Sequence, residues 1–228
     1  MTLPSKTIEG PKFNPKQVEF CRSSVRYTGY GGARSGGKSF VGRWKCVLLC
    51  FYYPGITCMI MCRSYPELEA NHIRQLKEIL KGMAPYNKTE KTFYFPNGST
   101  ILLRYAATED DLLNYQGTEV DILLIDEATQ ITWEMFVKCK ACVRGANQFP
   151  KRVYLTFNPG GKGHAWVKRL FIDRKFMPEE NPAEYVFIQA KAADNIALME
   201  KDPGYINQLK SLPPKLRKAW LDGSWDIY

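Results

Sequence analysis

Eight consecutive residues, Gly32-Ala33-Arg34-Ser35-Gly36-Gly37-Lys38-Ser39, satisfy every fixed position of the pattern G-x-x-x-x-G-K-S. Glycines let a backbone curl so that successive N–H groups converge on an anion. A helix starting directly after the loop adds the partial positive charge of its N-terminus. Lys38 would bring a point charge to the β- and γ-phosphates of a nucleoside triphosphate, and Ser39 would offer its hydroxyl to Mg2+. The alternative is a plain glycine-rich turn. The context argues against it, because the motif needs a strand before the loop and a helix after it. Residues 25–30 read as that strand. Residues 40–53 read as the helix, stopped by Pro54-Gly55.

A second chemical signal is Ile122-Leu123-Leu124-Ile125-Asp126-Glu127, four apolar residues running into two carboxylates. Strand ends are where an α/β sheet presents groups to a ligand. Asp126 is the candidate to hold Mg2+ through its water shell. Glu127 is the candidate general base that polarises the attacking water. A small-molecule kinase has no use for such a glutamate, and the Asn-Lys-x-Asp signature of guanine recognition is absent from the sequence. These residues point to ATP hydrolysis coupled to mechanical work. A third strand, residues 152–155, ends in Thr156-Phe157-Asn158-Pro159. A polar side chain there would lie beside Glu127 and sense the γ-phosphate, although Asn-Pro also commonly starts a turn.

The elements that must position these residues alternate in type. Residues 56–62 and 120–125 read as buried strands and 185–190 as a last strand. Residues 93–105 read as a hairpin turning at Pro96-Asn97-Gly98. Helices are predicted over 66–81, 132–143 and 164–172, and the tail 203–221 reads as helical. Apolar strands alternating with helices imply a mainly parallel sheet with helices on both faces. The expected fold is a P-loop NTPase with an additional strand between the phosphate-loop strand and the acidic strand, built as one domain over residues 1–228.

The chain has 32 basic and 23 acidic residues, a formal charge of +9. Residues 138–176 contain ten basic residues and one acid, and so hold the entire excess. Such a segment suits a polyanionic partner, contacted through candidates Lys162, Lys168 and Arg169, though a solvated face is the competing explanation. No apolar run reaches the length of a membrane span. The first ten residues lack the apolar core of a secretory signal, so export is not expected. Seven cysteines, an odd number, point to reduced thiols. The pairs Cys46/Cys50, Cys58/Cys62 and Cys139/Cys142 lie in apolar periodic stretches rather than on turns, and no zinc is expected.

Taken together, the motifs resemble the large terminase subunits of tailed bacteriophages. Phe13-Asn14-Pro15-Lys16-Gln17 looks like the family's adenine-recognising motif, with Gln17 as its glutamine. Gly31 to Ser39 resembles its arginine-bearing phosphate loop, which implies a catalytic role for Arg34 beside Lys38. Cys62-Arg63-Ser64, Asp126-Glu127-Ala128 and Thr156-Phe157-Asn158-Pro159 resemble the strand-end arginine, the acidic pair and the coupling motif. Leu221-Asp222-Gly223-Ser224-Trp225 resembles the junction to the family's nuclease domain, so an ATPase domain without that nuclease is expected. The resemblance implies ATP-driven translocation of double-stranded DNA into a prohead in the cytoplasm of an infected bacterium. It implies a portal protein and a small terminase subunit as partners. It also implies a homo-oligomeric ring on the portal, with a monomer expected in isolation, and an arginine reaching the neighbouring subunit's site. Arg104 and Arg144 are the candidates for that arginine. A helicase-like motor and a nucleotide-switched scaffold are the alternative functions.

Overall fold

In the computed structural model, which describes residues 10–33 and 37–226, the apolar strands form the centre of one sheet. The elements run α1 (Pro15–Arg22), β1 (Tyr27–Gly32), α2 (Lys38–Tyr52), β2 (Thr57–Cys62), then α3 (Tyr65–Leu68) and α4 (Arg74–Ile79) joined by a π-helical turn (Glu69–Ile73). They continue with β3 (Tyr86–Asn87), β4 (Thr92–Tyr94), β5 (Thr100–Tyr105), β6 (Ile122–Ile125), α5 (Trp133–Lys140) and β7 (Arg152–Phe157). Last come α6 (His164–Val167) with a second π turn (Lys168–Ile172), β8 (Tyr185–Ala190), α7 (Ile196–Lys201), α8 (Tyr205–Lys210) and α9 (Pro214–Trp220). Among the described residues, no helix is long and apolar enough to cross a membrane.

The sheet order is β3-β4-β5-β2-β6-β7-β1-β8. Every pairing from β5 to β8 is parallel; only β3–β4 and β4–β5 are antiparallel. β7 stands between the phosphate-loop strand β1 and the acidic strand β6, so the expected additional strand is the one that carries Thr156. The central strands β2 and β6 bury both faces, which is why they read as apolar runs. On β2 and β6, Cys58, Ile60, Ile122 and Leu124 join the core under α2, with Phe20 of α1 and Leu76 of α4. Their neighbours Met59, Met61, Leu123 and Ile125 join the core under α5 and α6, with Phe136 and Leu170.

Strand β1 lies two residues later than the sequence pattern suggests, because its glycines are structural. A Cβ on Gly31 would lie 2.2 Å from the Phe157 ring, and one on Gly29 would lie 2.6 Å from it. The bare backbone of β1 thus makes room for Phe157 on the adjacent strand, a ring with 0% exposure. Emptying that space costs about 3–5 kcal/mol for a Phe→Ala change.

Other boundaries also depart from the sequence reading. The ladder of β6 starts at Ile122, and Val120 makes only an isolated bridge to Val143. Helix α5 ends at Lys140. The helix expected over 66–81 is interrupted by a π turn, and the one expected over 164–172 ends in one. The tail over 203–221 is two short helices, α8 and α9, because Pro213 breaks it between them. Helix α1 escaped the sequence reading although its signal is present. Asn14 caps it, Gln17 returns the bond as the other half of a capping box, and Pro15 takes the first position.

Candidate functional site

β1, β6 and β7 end together, and their ends meet the start of α2. Lys38 and Ser39 form the first turn of α2. Gly37 before them is left-handed, with φ 68°. Lys38 is buried, and its Nζ donates to the carbonyl of Ala33 at 2.7 Å, across the loop. Gly32 and Ala33 continue β1, and the Ala33 N–H donates to Ala190 at 2.9 Å. Arg34, Ser35 and Gly36 lie outside the described residues.

Asp126 is nine-tenths or more buried, and both carboxylate oxygens are engaged. Oδ1 accepts from the Ser39 hydroxyl at 3.0 Å and from the Thr156 hydroxyl. Oδ2 meets His72 Nε2 at 2.9 Å. Burial by itself would push the Asp126 carboxyl up. His72, Thr156 and Ser39 outweigh it and hold the group at about 2, so Asp126 is a carboxylate at neutral pH.

Glu127 adopts φ 57° and ψ 51°, left-handed backbone that a non-glycine residue holds at a cost of about 1–3 kcal/mol. Its N–H donates to Thr156 Oγ1 at 3.0 Å. The Asn158 amide donates to both carboxylate oxygens of Glu127 at 3.1 Å. Thr156 therefore links the two acids, accepting from the Glu127 backbone and donating to the Asp126 side chain. These groups open onto a cleft of about 440 Å³ that is also lined by Arg63, Gln130, Gly160 and Trp220. Arg63 follows β2 and donates to Gln130 at 3.3 Å and Glu67 at 3.0 Å.

Gln17 lies at the opposite side of the loop. Its Oε1 accepts from Asn14 N at 3.0 Å, completing the α1 cap, and its Nε2 donates to the Gly37 carbonyl at 3.3 Å. A Cβ on Gly37 would lie 2.5 Å from that Nε2. With Phe13, Phe40 and Ile196, these residues line a mostly apolar cleft of about 760 Å³.

The remaining sequence candidates lie away from this cluster. Arg104, half-buried on β5, donates to the carbonyls of Glu90, Lys91 and Leu103 at 3.0–3.2 Å. Arg144 sits at the N-terminal end of β6, opposite the carboxylates, and pairs with Glu119 at 3.3 Å. Lys162 Nζ lies 4.0 Å from Met135 Sδ. Lys168 pairs with Asp173 at 2.7 Å and Asp226 at 3.3 Å. Arg169 grips Glu180 at 2.7 and 2.9 Å and lies over the Trp133 ring, 5.1 Å from its centroid.

All seven cysteines are free thiols. Cys62, His72 and Asp126 bring ligand atoms within 4.8 Å of one another. Burial first, then Asp126, Glu67 and Glu127, push the Cys62 thiol well up. The trio includes a nitrogen and a sulfur donor, which a hard cation does not favour. The hydroxyl of Ser39 and the carboxylate of Asp126, hard oxygen donors sharing one hydrogen bond, suit Mg2+ instead. The sequence reading missed His72, which sits 54 residues from its partner on a helical stretch with no motif around it.

Solved structures share this architecture. The large terminase of a thermophilic bacteriophage, solved in complex with ATP-gamma-S, superposes with a TM-score of 0.72 at 15% identity, over 94% of this chain and 53% of that one. The ATPase domain of the Thermus phage P74-26 large terminase gives 0.68 at 15% identity, over 94% of both chains. The HK97 bacteriophage large terminase gives 0.57 at 12% identity, over 85% of this chain and 44% of that one. The chain thus spans about half the length of the ATP-gamma-S-bound terminase, and the likeness fixes the fold as that of a P-loop NTPase. No curated protein matches the sequence. The family model for the T4-like type of terminase large subunit, N-terminal part, matches residues 29–226, and the chain belongs to that family.

Proposed function

We propose that this chain is the ATPase motor of a phage DNA-packaging machine, hydrolysing ATP to move double-stranded DNA. The observation that carries the reading is the hydrogen-bonded set Asp126, Glu127, Thr156 and Asn158 at the ends of adjacent strands, beside Lys38 and Ser39. In this reading the phosphate loop and the α2 N-terminus bind the phosphates, with Lys38 on the β/γ pair and Arg34 assisting catalysis. Ser39 and Asp126 would hold Mg2+, which supplies charge neutralisation on the phosphate oxygens. Glu127 accepts the proton of the attacking water. Its left-handed backbone turns the carboxylate towards the cleft, and Asn158 orients it. Because Asn158 touches the base directly, a change at the γ-phosphate reaches β7 through one side chain. Gln17 joins the adenine side of the site to the loop through Gly37.

The partners of the reading are duplex DNA, a portal protein and a small terminase subunit, met in a ring of copies in the host cytoplasm. Arg104 or Arg144 would complete a neighbour's site, and Lys162, Lys168 and Arg169 would face DNA. The deciding experiment is Glu127→Gln. The amide keeps the shape but takes no proton, so Mg2+-ATP binding persists while turnover falls by about two to four orders of magnitude. Hydrolysis close to that of the unchanged chain would remove Glu127 as the base.

A further inference from the structure

The π turn Glu69–Ile73 interrupts a helix that the sequence would have left regular, and such turns cluster at functional sites. The turn delivers His72, at 0% exposure, to Asp126 Oδ2. We propose that His72 is a positioning residue for Asp126, and that by fixing this carboxylate it sets the affinity of the nucleotide site for Mg2+. The inference rests on the reading of Ser39 and Asp126 as the magnesium corner.

Three observations support it. First, the two oxygens of Asp126 are divided: Oδ1 faces Ser39 and Thr156, and Oδ2 has His72. A carboxylate torsion is broad and roughly two-fold. The His72 bond is what holds one oxygen back and leaves the other at Ser39. Second, the turn is clamped from the phosphate-loop helix itself. Arg43 of α2, 5% exposed, donates from its guanidinium to the Asn71 carbonyl, inside the turn. The helix that presents Ser39 thereby also fixes the backbone next to His72, so both partners of Asp126 share one support. Third, the ring has no second task. Nε2 faces a carboxylate and so carries the hydrogen. Nδ1 is buried with no hydrogen-bond partner among the described residues. An unpaired buried nitrogen costs free energy that an apolar side chain filling the same space would not incur. The bond to Asp126 is the return for that cost. Partners that orient metal ligands in this way are typically worth about 10–100-fold in metal affinity.

Two near-isosteric variants separate positioning from packing. His72→Gln retains an N–H donor near the position of Nε2, whereas His72→Met fills the space without one. The readout is binding of a fluorescent ATP analogue titrated with Mg2+, together with melting curves and the KM and kcat for Mg2+-ATP. The Mg2+ half-saturation should rise about 10–100-fold in His72→Met and return to within a few-fold of the unchanged chain in His72→Gln. Metal-free analogue binding should be equal in all three, and the loss should fall mainly on KM. Arg43→Met should shift the metal titration in the same direction by a smaller factor. Equal Mg2+ half-saturation in the Met and Gln variants, whether unchanged or raised, overturns the proposal. Loss of metal-free binding in step with melting temperature overturns it too, by making His72 a packing residue. An unchanged chain that binds the analogue with no Mg2+ dependence overturns the magnesium corner itself, an outcome distinct from indifferent His72 variants.

Discussion

The acidic pair with its coupling motif and the basic segment 138–176 carry most of the charge that the sequence marks as functional, and they fold in opposite ways. Asp126, Glu127, Thr156 and Asn158 come from the ends of two adjacent strands and bond to one another. In the basic segment, five of the ten cations pair with acids from outside it: Lys138 with Glu109, Arg144 with Glu119, Lys151 with Asp121, Lys168 with Asp226 and Arg169 with Glu180. The difference lies in what sequence position controls. A strand end has one place in a parallel sheet, so residues at strand ends converge wherever the strands are neighbours. A run of like charge has no such address. Its partners are chosen by packing, and a segregated charge along the chain becomes a partly neutralised one in space.

If that contrast holds, damage to the strand-end cluster and its phosphate loop should be severe, and damage to the paired cations mild. The largest effect belongs to Lys38. It is buried beside Ala33, and in the proposed reading it carries the charge that faces the phosphates; charge-assisted bonds are the strong ones. Lys38→Ala should lose nucleotide binding by at least about tenfold and hydrolysis altogether, with little change in melting temperature. A titration with Mg2+-ATP checks it; unchanged affinity would contradict the assignment of the loop.

Next comes Asn158→Ala. Both oxygens of Glu127 lose their amide donor, while the backbone bond from Glu127 to Thr156 remains. ATP binding should survive, turnover should drop about 10–100-fold, and DNA transport by the full assembly should fail. Thr156→Val is the companion measurement, because it removes the hydroxyl that links the two acids. Its turnover should fall at least as far. If Asn158→Ala packages DNA normally, Asn158 is a turn former and the comparison loses its sharper half.

Much of this site could be read from the chain, for reasons that particular residues make plain. Gly32 to Ser39 and Asp126-Glu127 are local patterns whose chemistry is written into adjacent residues. The additional strand β7 was legible because Arg152–Phe157 is a buried run ending in polar groups. His72 was illegible: its role depends on a π turn whose carbonyl is taken by Arg43, from another helix. Gln17 is legible as a contact of the site, whereas its second role as half of a helix cap appears only with the reciprocal bonds to Asn14. The start of β1 was misjudged because glycines weaken a strand pattern, while here they accommodate Phe157.

The smallest effect is expected where the sequence reading looked for the largest electrostatic one. Each phosphate neutralised by a protein cation releases counterions, and the salt slope of DNA binding counts those contacts. A cation already bonded to a carboxylate contributes less, because DNA must compete with its partner. Lys168 has Asp173 and Asp226, and Arg169 has Glu180, whose side chain is only 5% exposed. Lys162, four ångströms from a thioether and on the loop directly after Asn158-Pro159, has no carboxylate partner among the described residues. In the full assembly, Lys162→Ala should therefore reduce the salt slope of duplex binding by about one. Lys168→Ala/Arg169→Ala should reduce it by less than that despite removing two charges. The double change should instead lower the melting temperature, because it strands the Glu180 carboxylate and strips the guanidinium from the Trp133 ring. Salt-titrated binding to duplexes of unrelated sequence, read beside the melts, separates the outcomes. A slope change near two for the double variant, with an unchanged melt, would mean that DNA displaces the acids and that the paired cations are the track after all.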